Sequence, residues 1–270
     1  MNWKQLISAK RFGMEEFHEE RQENRSEFQR DYDRLIFSAP FRRLQNKTQV
    51  FPLPGSVFVH NRLTHSLEVA SVGRSLGDDV AKALLERHPE LQDSFLPEIG
   101  SIVSAACLAH DLGNPPFGHS GEKAISTFFS EGKGVRLKEK QPNGEQLSPM
   151  EWEDLTHFEG NANAFRILTH QFEGRRKGGF VLTYTTLASI VKYPFSSSLA
   201  GTKSKFGFFV SEEESFQKIA TELGLTLLNE HPLKYARHPL VYLVEAADDI
   251  CYQMMDIEDA YKLKIPTTEE

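Results

Sequence analysis

The stretch Cys107-Leu-Ala-His-Asp-Leu-Gly-Asn-Pro-Pro-Phe-Gly-His-Ser-Gly-Glu122 decides the architecture that the rest of this 270-residue chain must satisfy. The apolar run from Ile99 to Leu112 predicts a buried helix that stops at Gly113, because the two prolines that follow cannot continue it. His110 and Asp111 therefore fall in the last turn of a core helix, where polar side chains need a partner. A His-Asp dipeptide offers one nitrogen and one oxygen ligand to a divalent metal ion, so further ligands must come from elsewhere in the chain.

Composition and charge describe an ordinary globular chain, with 39% hydrophobic residues, 26% charged residues and a net charge of -7. Such a chain buries a sizeable core, either as one large domain or as a domain with an appendage. The acidic balance argues against a generally basic nucleic-acid surface but leaves a local basic patch open. The chain begins with a charged segment instead of a signal peptide, and no apolar run approaches the roughly 20 residues of a membrane span. We therefore expect a cytoplasmic protein without a membrane partner.

The hydrophobic periodicity predicts an all-α fold, in which residues 1–30 form an N-terminal arm and residues 31–270 form the core. Residues 196–211 are predicted to be a loop with one short hairpin. Residues 130–149 are rich in Gly and Pro and predict a mobile surface excursion, with a substrate lid or a nucleic-acid contact as alternatives. Cys107 and Cys251 lie in apolar helical runs and are expected to be reduced core residues. The first predicted helix lies within residues 31–44 and ends at Pro40. The other predicted helices cover residues 60–87, 99–112, 122–129, 158–172, 183–192, 212–223 and 239–264.

The helix predicted at residues 239–264 supplies the missing carboxylates. Asp248, Tyr252 and Asp256 are four residues apart and share one face of an otherwise apolar helix. Carboxylates on the inner side of a buried helix are costly unless they are paired or bound to a metal ion. Together with His65 and the His110-Asp111 pair, this face predicts a site of two imidazoles and two carboxylates. Such a site suits Mn, Fe, Co, Ni, Zn or Mg, and the spacing does not distinguish among these metals.

Three motifs resemble the H…HD…D signature of the HD-domain phosphohydrolases, namely Arg62-Leu-Thr-His65, the stretch from His110-Asp111 to Glu122, and Glu245-Ala-Ala-Asp248. More narrowly, the chain resembles the bacterial deoxyguanosine triphosphate triphosphohydrolases over roughly residues 30–262. Members of that family usually run well beyond 270 residues, so we expect a core that is truncated at its C-terminus relative to the family. The further motifs that carry the narrower resemblance are Arg43-Leu-Gln-Asn-Lys-Thr-Gln49, Phe158-Glu-Gly-Asn161, and Lys192-Tyr193-Pro.

The resemblance implies hydrolysis of a dNTP, with dGTP foremost, to a deoxynucleoside and inorganic triphosphate, with one divalent metal ion per site. The metal ligands it implies are His65, His110, Asp111 and Asp248, with Asp249 as the alternative to Asp248. His119 and Glu122 match the catalytic pair of the family. The positions that match contacts to the deoxyribose are Gln49, Tyr252 and Asp256, and those near the triphosphate are Arg62, Lys192 and Tyr193. The resemblance also implies a homo-oligomer, a hexamer in many members, and regulation by single-stranded DNA or a nucleotide effector.

Two other functions compete with this interpretation. One is another HD-type phosphohydrolase, such as a 5′-deoxynucleotidase or a hydrolase of cyclic nucleotides or alarmones. The other is a catalytically silent regulator that senses nucleotides or DNA. No motif is recognisable as a binding site for the hydrogen-bonding groups of guanine, so the sequence does not determine which base is preferred. The motif Phe158-Glu-Gly-Asn161 predicts a helix start and has no chemistry assigned to it.

Overall fold

The computed structural model describes residues 1–17, 25–48, 60–142, 144–174, 177–201 and 204–262, except for the side chains of Asp256, Asp259 and Lys262. Within these ranges the chain consists of helices, connecting turns and one small antiparallel sheet, which confirms the predicted all-α class. The helices are α1 (Trp3–Leu6), α2 (Glu27–Ile36), α3 (Ala39–Arg43), α4 (Arg62–Arg87), α5 (Ile99–Ala109), α6 (Gly118–Ser130), α7 (Pro149–Thr156), α8 (Gly160–Thr169), α9 (Tyr184–Ile190), α10 (Glu213–Glu222) and α11 (Val241–Lys262). The strands are β1 (Leu227–Asn229) and β2 (Lys234–Tyr235).

Helix α5 is the centre of the fold and is surrounded by α2, α4, α9 and α11. Its side chains from Ile102 to Ala109 are almost completely removed from solvent. Small residues such as Ala105 and Ala106 allow the neighbouring helices to approach closely, while Ile102 and Leu108 fill the space between them. A helix that is apolar on all sides is stable only when it is enclosed in this way. The end of α5 therefore delivers its last residues into the interior of the protein.

The long helix α4 begins at Arg62, two residues after the predicted start, and ends at the predicted residue. Asn61 caps its first turn by accepting hydrogen bonds from the backbone N–H groups of Leu63 and Thr64, and the Thr64 side chain returns a bond to the cap. This reciprocal arrangement satisfies donors that otherwise have no partner at a helix start. The helix ends at Arg87, and its C-terminal cap residue, His88, stands immediately before Pro89. The capped start fixes the direction of His65, one turn into the helix.

The predicted helix ending at Pro40 is two helices instead. Helix α2 ends at Ile36, and Ser38 caps α3 by accepting the backbone N–H of Phe41. Pro40 lies in the first turn of α3, where its missing N–H costs nothing, so here it starts a helix and does not end one.

The two helices on either side of the Asn114-Pro-Pro-Phe turn also differ from their predicted bounds. Helix α5 ends at Ala109, three residues early, because Leu112 and Asn114 make tight backbone bonds to Ala109 and Asp111. Helix α6 starts at Gly118 and not at Glu122. His110 is therefore the C-terminal cap residue of α5, and His119 lies in the first turn of α6.

Two further expectations about the loops need correction. The hairpin lies at Leu227–Tyr235 and not within residues 196–211, whose described part forms turns and short 3₁₀ segments. Helix α7 was not predicted, although Ser148-Pro-Met-Glu151 forms a capping box, a recognisable signal of a helix start. The described part of residues 130–149 includes a 3₁₀ segment, Lys133–Lys138, that packs against α6.

The N-terminal residues contact the core directly. Leu6 and Ile7 are buried in the main hydrophobic cluster, and Arg11 forms an ion pair with Asp31 of α2. The boundary between residues 1–30 and the core stays a prediction. Cys107 and Cys251 are buried and free, as predicted. Among the described residues, no helix has the length and apolar character that crossing a membrane requires.

Candidate metal centre and active site

Three helices bring the predicted metal ligands together in the interior. His65 comes from the first turns of α4, His110 and Asp111 follow α5, and Asp248 comes from α11. The ligand atoms of His65, His110 and Asp111 all lie within 4.8 Å of one another. Asp248 Oδ1 lies 3.0 Å from His65 Nε2 and 3.5 Å from His110 Nε2. Asp249, the alternative to Asp248, is exposed to solvent.

The hydrogen bonds of His110 test whether this cluster fits a metal ion. Its Nδ1 lies 2.6 Å from the carbonyl oxygen of Cys107, which fixes the ring and assigns the proton to Nδ1. Its Nε2 is buried and has no hydrogen-bond partner. A histidine held by a backbone carbonyl, with its inward nitrogen among carboxylates, has the arrangement of a metal ligand. Burial lowers the pKa of His110, but Asp111 and Asp248 raise it overall to about 9, so the inward nitrogen gives up a proton when a metal ion binds. His65, His110, Asp111 and Asp248 therefore fit a divalent ion.

Asp111 is oriented by two side chains. Arg62 Nη1 donates to Oδ2 at 2.7 Å, and Asn114 Nδ2 donates to Oδ1 at 2.5 Å. Both Arg62 and Asp111 are buried. These bonds leave each carboxylate oxygen one further lone pair for a ligand interaction.

The charges of the cluster stabilise one another. Burial raises the pKa of Asp248, but His110 and His65 outweigh burial and hold the pKa of that carboxyl well below its usual value. Burial also raises the pKa of Asp111, and His110 and Arg62 lower it by more. Both carboxylates are therefore ionised at neutral pH, which is the form that binds a metal ion.

A second pair of side chains lies in the first turn of α6. His119 Nδ1 lies 2.8 Å from Glu122 Oε2, and the backbone N–H of Gly160 donates to Glu122 Oε1 at 2.8 Å. Burial raises the pKa of Glu122, but the hydrogen bonds from His119 and Gly160 and the charge of Lys205 lower it overall. Glu122 is mostly buried, whereas 83% of the His119 side chain is exposed. The carboxylate is thus an oriented acceptor, and the imidazole is the accessible partner.

One cavity of about 510 Å³ connects the cluster of predicted metal ligands with the His119-Glu122 pair. It is lined by ten of the twelve residues that the sequence singled out, namely Arg62, His65, His110, Asp111, His119, Glu122, Lys192, Tyr193, Asp248 and Tyr252. Gln49 lies outside the described residues, and of Asp256 only the backbone, within α11, is described. Tyr252 is half-exposed at the rim.

Both cations that the resemblance places near the triphosphate have partners within the protein. Arg62 is bonded to Asp111, and Lys192 Nζ lies 2.9 Å from Glu245 Oε1. Arg237 pairs with the other oxygen of Glu245 at 2.8 Å. Glu245 therefore holds two cations at one side of the cavity.

Sequence reasoning missed some residues of the cavity wall. Lys205 lies in an irregular loop, where no periodicity marks a residue as inward-facing. Glu245 could have been found, because it lies one helical turn before Asp248 and shares its face. Asn161 also lines the cavity, although the sequence motif that contains it predicted only a helix start.

These features define the class of protein. Residues 62–178 match the model of the HD domain family. This matched segment contains His65, the His110-Asp111 pair and His119. This part of the chain therefore carries the HD-domain match that the sequence motifs predicted, and the resemblance found in the sequence is confirmed.

The particular relatives are triphosphohydrolases and proteins named as similar to them. A deoxyguanosinetriphosphate triphosphohydrolase-like protein of Synechocystis sp. is 45% identical over 97% of this chain and 60% of its own length. Another, of Pseudomonas aeruginosa, is 46% identical over 98% of this chain and 58% of its own length. A deoxyguanosinetriphosphate triphosphohydrolase of Yersinia enterocolitica is 36% identical over 100% of this chain and 57% of its own length. The chain therefore spans less than two thirds of the length of these relatives.

Proposed function

We propose that the protein is a metal-dependent phosphohydrolase that converts a dNTP, dGTP foremost, to a deoxynucleoside and inorganic triphosphate. The observation that carries the proposal is that one cavity is lined both by the His119-Glu122 pair and by four closely spaced side chains able to hold a metal ion, namely His65, His110, Asp111 and Asp248. The proposed substrate is the one for which the relatives from Synechocystis sp. and Yersinia enterocolitica are named.

His65, His110, Asp111 and Asp248 would hold the metal ion. When bound, a divalent ion of this kind lowers the pKa of a coordinated water and offsets the charge of a phosphate oxygen. This set of nitrogen and oxygen ligands suits Mn, Mg, Fe, Co, Ni and Zn and does not distinguish among them.

His119 is the residue proposed to move a proton. Since its Nδ1 is bonded to Glu122, its Nε2 is the nitrogen that faces the reaction, as proton acceptor from water or as donor to the leaving oxygen. Glu122 keeps the ring in one tautomer and stabilises the imidazolium when it forms. Its own position is set by the backbone of Gly160.

The cationic side chains of the cavity are proposed to bind the polyphosphate. Lys192 and Lys205 both line the cavity, and nearby carboxylates raise the pKa of each lysine despite the opposing effect of burial. Both are therefore charged at neutral pH. Arg62 contributes by keeping Asp111 in position.

The test is incubation of the full-length protein with each dNTP and with Mn²⁺ or Mg²⁺, followed by separation of the products by ion-exchange chromatography. We expect a deoxynucleoside and intact triphosphate, and a loss of about 100-fold or more in kcat in His119→Ala. His157→Ala is the matched control, because His157 also pairs with a glutamate, Glu153, at 3.1 Å but lies outside the cavity. It should retain full activity.

Other products would refute the assignment in different ways. Monophosphate with pyrophosphate, or stepwise release of phosphate, would point to another HD-type phosphohydrolase with the same metal site. No turnover, even with single-stranded DNA or a second dNTP present, would favour the silent regulator. The hexameric assembly and the effector rest on the family resemblance alone, and light scattering of the full-length protein tests the first of them.

A further inference from the structure

The motif Phe158-Glu-Gly-Asn161 has a definite structural place beside the catalytic pair. Glu159 is completely buried, and its Oε1 accepts hydrogen bonds from Lys205 Nζ at 2.8 Å and from Asn161 Nδ2 at 2.8 Å. Its Oε2 accepts the backbone N–H groups of Asn161 and Ala162 at the start of α8. Each oxygen of this carboxylate thus has two donors, and Lys205 and the Asn161 side chain supply more than a helix cap requires.

Gly160, the residue between Glu159 and Asn161, also fixes Glu122. The N–H of Gly160 holds Glu122 Oε1, and a Cβ at position 160 would lie 2.0 Å from Asn114 Oδ1 and 3.0 Å from Glu122 Oε1. A larger residue at position 160 would displace the Asn114 side chain. Glu159 and Gly160 therefore both act on Glu122. Glu159 does so through Lys205, and Gly160 does so through its backbone N–H.

Lys205 lies between two carboxylates that compete for it. Its Nζ is 2.8 Å from Glu159 Oε1 but 3.6 Å from Glu122 Oε2, the oxygen that bonds His119. At 3.6 Å the ammonium lowers the energy of the Glu122 carboxylate without taking its hydrogen-bonding position. A lysine on a flexible four-carbon stem would move the remaining distance if its closer partner lost its charge.

We propose that Glu159 is a positioning residue of the active site, which holds the ammonium of Lys205 away from Glu122 so that Glu122 stays paired with His119. This inference rests on the role given to His119 in the proposed function. It assigns the Glu159-Gly160-Asn161 motif the task of aligning the proton-transferring pair.

Glu159→Gln separates this role from that of a helix cap. A glutamine keeps an oxygen for the N–H groups of Asn161 and Ala162 but loses the charge that holds Lys205. In the variant, Lys205 closes on Glu122 Oε2 and displaces His119. An imidazole without its carboxylate partner has a less basic and less nucleophilic Nε2.

The experiment measures the rate at which diethylpyrocarbonate modifies His119 in the metal-loaded full-length protein at alkaline pH, followed by mass spectrometry of the His119 peptide. This readout needs no substrate. We expect modification several-fold slower in Glu159→Gln, and a wild-type rate restored in Glu159→Gln/Lys205→Met, where no ammonium competes. We also expect kcat for dNTP hydrolysis to fall about tenfold or more in Glu159→Gln.

Glu15→Gln is the matched control, because Glu15 holds Lys218 at 2.6 Å far from the cavity. It should change neither the modification rate nor kcat. Melting temperatures of all variants identify any that fail to fold.

A wild-type modification rate in Glu159→Gln would overturn the proposal, and so would a double variant as slow as Glu159→Gln. If the wild-type protein hydrolyses no dNTP, the proposed function fails by itself, and the modification rates still decide whether Glu159 positions the His119-Glu122 pair.

Discussion

Arg62 donates a hydrogen bond from Nη1 to Asp111 Oδ2 at 2.7 Å, and solvent reaches neither side chain to more than 6%. The family resemblance places this arginine near the triphosphate, and that role stays a prediction. Its hydrogen bond also ties the first turn of α4 to the end of α5. Arg62 therefore orients Asp111, one of the predicted metal ligands, at the cavity wall.

This relationship predicts that Arg62→Lys weakens metal binding. A lysine keeps the charge but loses the planar fork that orients the carboxylate, and the loss of such a support typically costs about tenfold or more in metal affinity. Competition of the metal-free protein with a chelating dye for Mn²⁺ measures the change. Equal affinities of Arg62→Lys and the wild type would refute the orienting role, and Arg42→Lys, a variant outside the cavity, should bind as the wild type does.

The sequence predicted the parts of the site that lie on regular helices. His65 on α4 and Asp248 on α11 were found because helical periodicity tells which residues share a face. Glu159, Gly160 and Lys205 received no role, because the meeting of a helix start with an irregular loop depends on tertiary structure. The hairpin was misplaced for a similar reason: β1 and β2 comprise three and two residues, too short for an alternating pattern to mark them.

The close contact between the His110-Asp111 turn and α8 predicts a large effect for Gly113→Ala. A Cβ at position 113 would lie 2.0 Å from the carbonyl oxygen of Gly160 and 2.2 Å from the backbone nitrogen of Ala164. Backbone atoms cannot rotate away, so the turn or α8 must move, at a cost of about 3 kcal/mol in the free energy of unfolding. Urea unfolding of Gly113→Ala and the wild type measures this difference in the free energy of unfolding.

Gly160→Ala provides the comparison for this prediction. There the added carbon meets the side chain of Asn114, which can rotate at the expense of its bond to Asp111. We expect a smaller loss of stability than in Gly113→Ala, accompanied by weaker metal binding. Equal stability of Gly113→Ala and the wild type would mean that the turn and α8 are not packed as described.

The N-terminal residues contribute stability through a buried ion pair. Arg11 Nη1 lies 2.7 Å from Asp31 Oδ1, the arginine side chain is 9% exposed, and Asp31 is completely buried. Arg11→Met leaves a buried carboxylate without its cation, which costs about 3 kcal/mol or more. Arg25→Met is the control, since Arg25 and Asp33 are 2.6 Å apart but exposed by 62% and 37%. An exposed pair contributes less than about 1 kcal/mol, so equal effects of the two substitutions in urea unfolding would contradict the prediction.

His238 makes stability depend on pH through a contact with the N-terminus. Its Nε2 donates to the carbonyl oxygen of Leu6 at 3.0 Å, its Nδ1 accepts the N–H of Leu240 at 3.2 Å, and burial lowers its pKa from 6.5 to about 4. Between these two values the unfolded chain binds a proton at this residue and the folded protein does not. Stability from this group is therefore complete above pH 6.5 and is lost as the pH falls towards 4, by about 3 kcal/mol in total.

His238→Gln isolates that contribution, because glutamine is neutral at every pH and its amide can still donate to Leu6. Urea unfolding of the wild type and the variant, measured with EDTA at a series of pH values, gives the two slopes. We expect the free energy of unfolding to fall less steeply in the variant as the pH falls from 6.5 to 4. Parallel curves would mean that His238 is protonated in the folded protein as readily as in the unfolded chain, and its contact with Leu6 would then not require the neutral ring.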